Sequence, residues 1–526
     1  MKHKLCGVHG GNTGGADGQC YAMRRRRWRR FRGATVVAIA VAMTLETALS
    51  GCTVGPRYTR PDFPLADHFK EDASWHPAAV VVGEGPAPVK DSAPRPAGAV
   101  EAQWWTLWND PVLDKLELEA CENNQLLAAA RANYARALEL VSRSRASLYP
   151  NLSLGVEPMR SEELSYESSR ERFTYYPETD LKVWLEASWE PDLWGKVRHG
   201  IEAALSGAAS EAATRDGVKL SITAALAEHY LRVRESDSQL QLLGAEHDAY
   251  ARIYAEVRAA QSQGLATEDD VLRANNAISA IERAVSEESA VRAVQEHAAA
   301  ALVGSTPTGF SIAVDPDYKF ALPEVAPVLP SALLERRPDI VAAERSVAQA
   351  NARIGIAQSA YYPDLRLTAG VGGESSSLAE LLTAPARIWS VGPAMALSLF
   401  DGGRTSAIVH VAQSEYTKAV ADYRETVIQA MREVEDRLVK GLNDDRVAEN
   451  AKQEWLRSRR LTDDQQRQQR AGLATSIALL HSEIATDEAK RRWRASVALA
   501  SLNRIGLVKS IGGGWQGGQV SVTASD

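Results

Sequence analysis

The sequence predicts a mainly α-helical chain with a membrane β part: a long α-helical barrel of coiled-coil-like helices, plus four strands per chain in a shared barrel. Three observations predict it. The chain is 526 residues long, rich in Ala and only 6 % aromatic, a composition that favours long helices over a large globular core. From Lys196 to Gln263 only tolerated Gly residues interrupt a helical pattern, and at ~1.5 Å per residue that rod is roughly 100 Å long. Finally, two stretches that follow a Tyr-Pro read as the same strand: "LYPNLSLGV" alternates Leu152, Leu154 and Val156 with Asn151, Ser153 and Gly155, and "YYPDLRLTAGV" alternates Leu365, Leu367, Ala369 and Val371 with Asp364, Arg366, Thr368 and Gly370. A period of two with one apolar face is the signature of a half-buried or lipid-facing strand.

The first 51 residues carry nine Lys or Arg against Asp17 and Glu46, so their removal takes the net charge from -7 to -14. Such an acidic chain with no basic aromatic patch excludes nucleic acid as a partner. "RRRRWRRFR" followed by the apolar "GATVVAIAVAMTLETAL" reads as an export signal, with Met23 as an alternative start. The leader is expected over residues 1–51. It ends in "LSGC", Leu49 to Cys52, which resembles the lipobox of bacterial lipoproteins. That resemblance implies a diacylglycerol on the Cys52 thiol and an N-acyl group on its new amino terminus. Thr53 follows, not the Asp that retains lipoproteins in the inner membrane, so delivery to the outer membrane is implied. Of the other cysteines, Cys6 and Cys20 lie in the leader, and Cys121 has no partner for a disulfide or a metal.

Residues 52–100 are rich in Pro, Ala and Gly and read as an extended, lipid-anchored tether. Asn109 or Asp110 before Pro111 then opens the first helix. The remainder divides into two similar halves, residues 101–320 and 321–515, with a flexible tail over 516–526. Each half has a helix ending at Tyr-Pro, a strand, a polar loop, a second strand, a turn, a very long helix, a Gly turn and another long helix. The second strands are "LKVWLEASW" and "SVGPAMALSLF". Lys196 and Arg404 are 208 residues apart, and so are the "GLAT" turns at Gly264 and Gly472, which marks a duplication. Each strand is expected to be about nine to eleven residues long, enough to cross a bilayer when tilted. Four strands cannot close a barrel, and an open edge is excluded in hydrocarbon, so several copies must share one. Tyr149, Tyr175, Tyr176, Tyr361, Tyr362, Trp389 and Phe400 lie near strand ends, as in interfacial girdles.

The chain resembles the outer-membrane factors of tripartite efflux pumps, in the lipoprotein branch that works with resistance-nodulation-division transporters. The carriers are "GCTVGPRYTRP", "WWTLWNDPVLDKL", "SLYPNLSLGV", "WEPDLWGKVR", the long run from Pro330 to Gly372, "SLFDGGRTSA", "AGLATSIALL" and "IGGGWQG". Pro191 and Trp194 depart from the usual turn. The resemblance implies a homotrimer with a twelve-stranded outer-membrane barrel and a periplasmic helical tunnel. It further implies a passive exit duct for drugs or other small molecules, opened by a periplasmic adaptor (membrane fusion) protein coupled to a proton-driven inner-membrane transporter. No cofactor is expected beyond the lipid on Cys52. Gly264, Leu265 and Thr267 with Gly472, Leu473 and Thr475 match the family's periplasmic hairpin turns, where the adaptor docks. The gate falls nearest Leu461, Asp463 and Asp464, although Gln466 occupies the family's usual offset.

In "LLERRPDI", Arg336, Arg337 and Asp339 form a charge cluster, but Pro338 with Asp339 behind it reads as a helix start. No Ser elbow, metal-binding His pair, phosphate loop or Cys pair points to an enzyme. The alternative within the same fold is the duct of a type I protein secretion system; the lipobox, acidic tether and "GGGW" favour efflux.

Overall fold

A computed structural model describes residues 53–64, 66–71, 103–167, 172–325, 330–381 and 383–513. The leader, Cys52, most of the tether and the tail lie outside these residues. The described chain forms two units. One comprises Pro150–Arg198 and Gln358–Leu399 with residues 53–55, and the other holds the helices.

The first unit is an antiparallel sheet in the order β1 (Asn151–Glu167), β2 (Arg172–Trp189), β3 (Asp364–Ser375) and β4 (Arg387–Ala396). Its register gathers one apolar face. Leu154 lies opposite Leu185, Leu185 opposite Val371, and Val371 opposite Trp389; Leu152, Ala187, Ala369 and Val391 form the next row. This face is open in the single chain, with Leu154 67 % and Val391 71 % exposed. The opposite face collects Ser153, Lys182, Glu186, Ser188, Arg366, Thr368 and Ser390, as the alternation predicts. Trp184 is the large residue on that polar side, and it lies against Gly370 and Gly372.

Two strands are longer than the sequence suggests, with 17 residues in β1 and 18 in β2. The pairing of β2 with β3 stops at Leu181 and Ser375, whereas β1 and β2 continue as a two-stranded ribbon. In residues 157–162 of this ribbon Pro158, Arg160 and Glu162 follow Leu152, Leu154 and Val156 at the same period, so the ladder persists where the apolar alternation breaks. β4 starts at Arg387 and stops at Ala396, short of Phe400, because its last partner is Asp364 at the start of β3.

The turn leaving β2 explains the unusual Pro191 and Trp194 stretch. Asp192 accepts from the backbone of Val197 and Arg198 at 3.0 and 2.9 Å and pairs with the Arg198 guanidinium. It thereby satisfies amide donors that a helix start leaves open. Trp194 stacks on Tyr362, with centroids 4.8 Å apart, and its indole donates to the Pro363 carbonyl at 2.8 Å.

In the second unit, α1 (Pro111–Asn123) is capped by Asp110, and α2 (Gln125–Ala146) by Asn124. The long helices are α3 (Lys196–Ser262) and α4 (Glu268–Val303), then, after α5 (Pro330–Arg336) and α6 (Pro338–Ser359), α7 (Arg404–Arg470) and α8 (Ser476–Ser510). α3 and α7 have 67 residues each. Trp104, Trp105 and Trp108 are buried in the main core, where the Trp104 indole donates to Thr223 and that of Trp108 to Ser501. Arg337 is buried too; it pairs with Asp339 and Glu433 and donates to the Ser510 carbonyl at 2.7 Å. The charge cluster of "LLERRPDI" thus ties the start of α6 to α7 and the end of α8.

Glu235 of α3 is half-buried, and desolvation together with the Glu288 carboxylate of α4 pushes its pKa up to about 7. The folded chain therefore holds this proton more tightly than the unfolded chain, whose carboxyl titrates near 4.5. Stability is lost as pH rises through that window. Glu235→Gln is expected to be more stable than the parent above about pH 7 and nearly equal to it near pH 4.5, as followed by thermal unfolding of the helical circular dichroism signal.

Candidate functional site

The two short turns joining the long helices are built alike. Gly264 and Gly472 both have φ +73°, a left-handed backbone that Gly adopts without strain. Each amide bonds back three residues, Gly264 to Gln261 at 2.9 Å and Gly472 to Gln469 at 3.0 Å. Leu265 and Leu473 donate one residue further back, to Ala260 and Gln468, both at 2.9 Å. Thr267 then caps α4 in a reciprocal box with Asp270, and the Thr475 hydroxyl caps α8 by accepting from Ala478 at 3.1 Å. The duplicated "GLAT" is thus a turn, a helix stop and a helix cap in four residues.

Both turn leucines point outward, Leu265 78 % and Leu473 80 % exposed. The turns are joined within the chain, since Ser476 at the start of α8 donates to Glu256 of α3. Ala249 and Ile253 of α3 pack with Leu480 and Ile484 of α8 just behind them. Their flanks differ in charge. Glu268 and Asp269 open α4, whereas Arg467 and Arg470 close α7.

Leu461, Asp463 and Asp464 all lie on α7 and all are exposed, Leu461 by 63 %. Asp464 is engaged by Arg467 of its own helix. Sequence reasoning passed over that arginine, although its i,i+3 spacing from Asp464 is the signal of a same-face ion pair.

Cys52 lies outside the described residues, but its neighbour is placed. Val54 donates to the Trp194 carbonyl at 3.1 Å. The Thr53 methyl lies where a side chain at Gly195 would have to go, 2.9 Å from that Cβ position. The residues after Cys52 are therefore docked on the turn that follows β2. Among the described residues, no helix is long and apolar enough to cross a membrane.

Comparison with known proteins agrees with this geometry. The model of the "Outer membrane efflux protein" family matches residues 118–306 and 329–513. Outer membrane protein OprJ of Pseudomonas aeruginosa is 30 % identical over 409 residues, covering 77 % of this chain and 80 % of that protein. The pyoverdine export outer membrane protein OpmQ of Pseudomonas putida is 28 % identical over 428 residues, 79 % of this chain and 89 % of its own. Among solved structures, the open state of the MtrE outer membrane channel of Neisseria gonorrhoeae superposes with a TM-score of 0.75 at 26 % identity, covering 89 % of this chain and 99 % of that one. The two matched segments follow the two halves of the duplication and span most of the helical unit, so the chain belongs to the outer membrane efflux protein family.

Proposed function

We propose that three copies of this chain form the lipid-anchored outer-membrane exit duct of a tripartite efflux pump driven by a resistance-nodulation-division transporter. The observation that carries the reading is the four-stranded sheet with an open apolar face and two unpaired outer strands, β1 and β4. Backbone groups on such edges need partners in hydrocarbon, and joining β4 of one copy to β1 of the next supplies them. Three copies give twelve strands, a number within the range of outer-membrane barrels. The apolar face then meets lipid, and the face bearing Lys182, Glu186, Arg366 and Thr368 lines the water-filled interior.

The helical part extends into the periplasm, and the Gly264 and Gly472 turns receive the helical hairpins of an adaptor protein, with Leu265 and Leu473 as the apolar contacts. Diacylglycerol on Cys52 anchors the amino terminus, a role supported by the docking of Thr53 and Val54 on the Trp194–Gly195 turn. Leu461, Asp463 and Asp464 are candidates for the constriction that opens. A small-molecule cargo is supported by the pyoverdine in OpmQ's name. The duct needs no cofactor and moves solute passively, with energy supplied by the inner-membrane transporter.

Deleting the gene in its native host and comparing drug susceptibility with that of a transporter deletion tests the reading. Both deletions are expected to sensitise the cells to the same compounds. Unchanged susceptibility to every compound exported by that transporter overturns it.

A further inference from the structure

The polar face of the sheet carries one large aromatic side chain on a bed of glycines. Trp184 of β2 stands opposite Gly155 of β1 and Gly372 of β3. A side chain at Gly370 would collide with the indole, and one at Gly372 would lie 2.9 Å from it. The ring therefore lies across the backbone of β3, and it does not stand upright between neighbouring side chains. Over the ring sits the Lys182 ammonium of the same strand, 5.6 Å from the centroid.

Lys182 also has two carboxylates beside it. Glu157 of β1 and Glu374 of β3 lie directly opposite it on the same face, a position in which Cβ atoms are about 5 Å apart. Both carboxylates are exposed, and neither they nor Lys182 form an ion pair among the described residues. The structure thus places a cation over the indole although two acids flank it. A Trp face attracts cations through its quadrupole. A Lys ammonium is strongly hydrated and makes a weak occupant of such a face. A flat aromatic cation brings stacking area in addition to its charge. On the same face Glu178, Asp180 and Glu186 outnumber Arg366, which raises the local concentration of cations in a low-dielectric enclosure.

We propose that Trp184, flanked by Glu157 and Glu374, is a wall site for flat aromatic cations inside the barrel, one in each copy. Lys182 is its resident occupant, which the cargo displaces. Once displaced, the ammonium pairs with one of the two carboxylates opposite it, and the other faces the charge of the cargo. The inference rests on the barrel reading above, because only a closed barrel makes this face the interior. It adds a class of solute that the duct holds on its way out.

Ethidium, a flat aromatic cation, is titrated into the full-length protein in a nonionic detergent, and binding is followed by its fluorescence anisotropy. Trp184→Leu is expected to weaken binding about two- to fivefold, the size of a cation–π contact at an exposed site. Trp184→Phe, which keeps a smaller ring, is expected to weaken it less. Lys182→Ala uncovers the indole and is expected to tighten binding, and the gain is expected to shrink in a Trp184→Leu background, because the two residues act through one ring. Equal affinity of Trp184→Leu and the parent, with a trimeric native mass, overturns the site and leaves the exit duct standing. A Lys182→Ala gain of the same size in both backgrounds reports charge alone and overturns the displacement. Should Trp184→Leu fail to assemble, Lys182→Ala decides by itself, and unchanged ethidium affinity in that variant overturns the proposal. A monomeric native mass of the parent overturns the duct reading itself.

Discussion

Asp237→Ala is expected to destabilise the helical unit by about 3–5 kcal/mol, the cost of leaving buried charges without their partner. The Asp237 side chain is fully buried, and it accepts from Arg292 at 2.6 Å, from Arg234 at 3.3 Å and from the Asp315 amide at 3.0 Å. Arg234 is itself buried, with further contacts to the Tyr230 hydroxyl and the Ala313 carbonyl. Tyr230 in turn donates to the Asp110 carboxylate that caps α1. Removing one carboxylate therefore leaves Arg234 without a counter-charge and Arg292 with Glu296 alone, and loosens the contact of α3 with α4 and with the loop over residues 312–315. Chemical denaturation of the detergent-solubilised protein, followed by helical circular dichroism, reads the loss. Asp237→Asn, which keeps the hydrogen-bond acceptor and removes the charge, is expected to fall between the variant and the parent.

Gly372→Ala is expected to abolish correct assembly of the sheet. The added methyl would lie 2.1 Å from the Val183 carbonyl oxygen, a backbone atom of the paired strand, and 2.9 Å from the Trp184 ring. A side chain can move aside, but a carbonyl in a ladder cannot move without breaking the pairing of β2 with β3. The cost is expected to reach or exceed the ~1–3 kcal/mol of ordinary overpacking. Gly392→Ala makes the same chemical change in β4 with no atom within 4 Å of the added methyl. Outer-membrane abundance is expected to drop severely for Gly372→Ala and to stay at the parental level for Gly392→Ala.

The two variants also mark where the sequence was legible. The long helices could be read almost to the residue because a duplication repeats their stops: a Gly at φ +73°, a Thr cap and an interval of 208 residues appear twice. The apolar sheet face could be read because a period of two survives wherever β2 pairs with β3. The extension of β1 and β2 beyond Val156 and Leu181 could not, because Pro158, Arg160 and Glu162 break the apolar alternation there while the backbone pairing runs on. The Asp237 network was equally hidden. Arg234, Asp237 and Arg292 on long helices read as solvated charges, and only packing shows that they face one another. The alternation of "LKVWLEASW" puts Trp184 beside Lys182 and Glu186 on the polar face, yet it says nothing of Gly370 and Gly372 on the neighbouring strand, which make room for its ring.

The four-stranded sheet of each chain has two open edges, which the proposed trimer completes with other copies of the same chain. Native mass spectrometry of the detergent-purified protein tests it most directly. The expected species has three times the mass of one chain and survives mild collisional activation. A monomer in every detergent that keeps the protein folded would contradict the account.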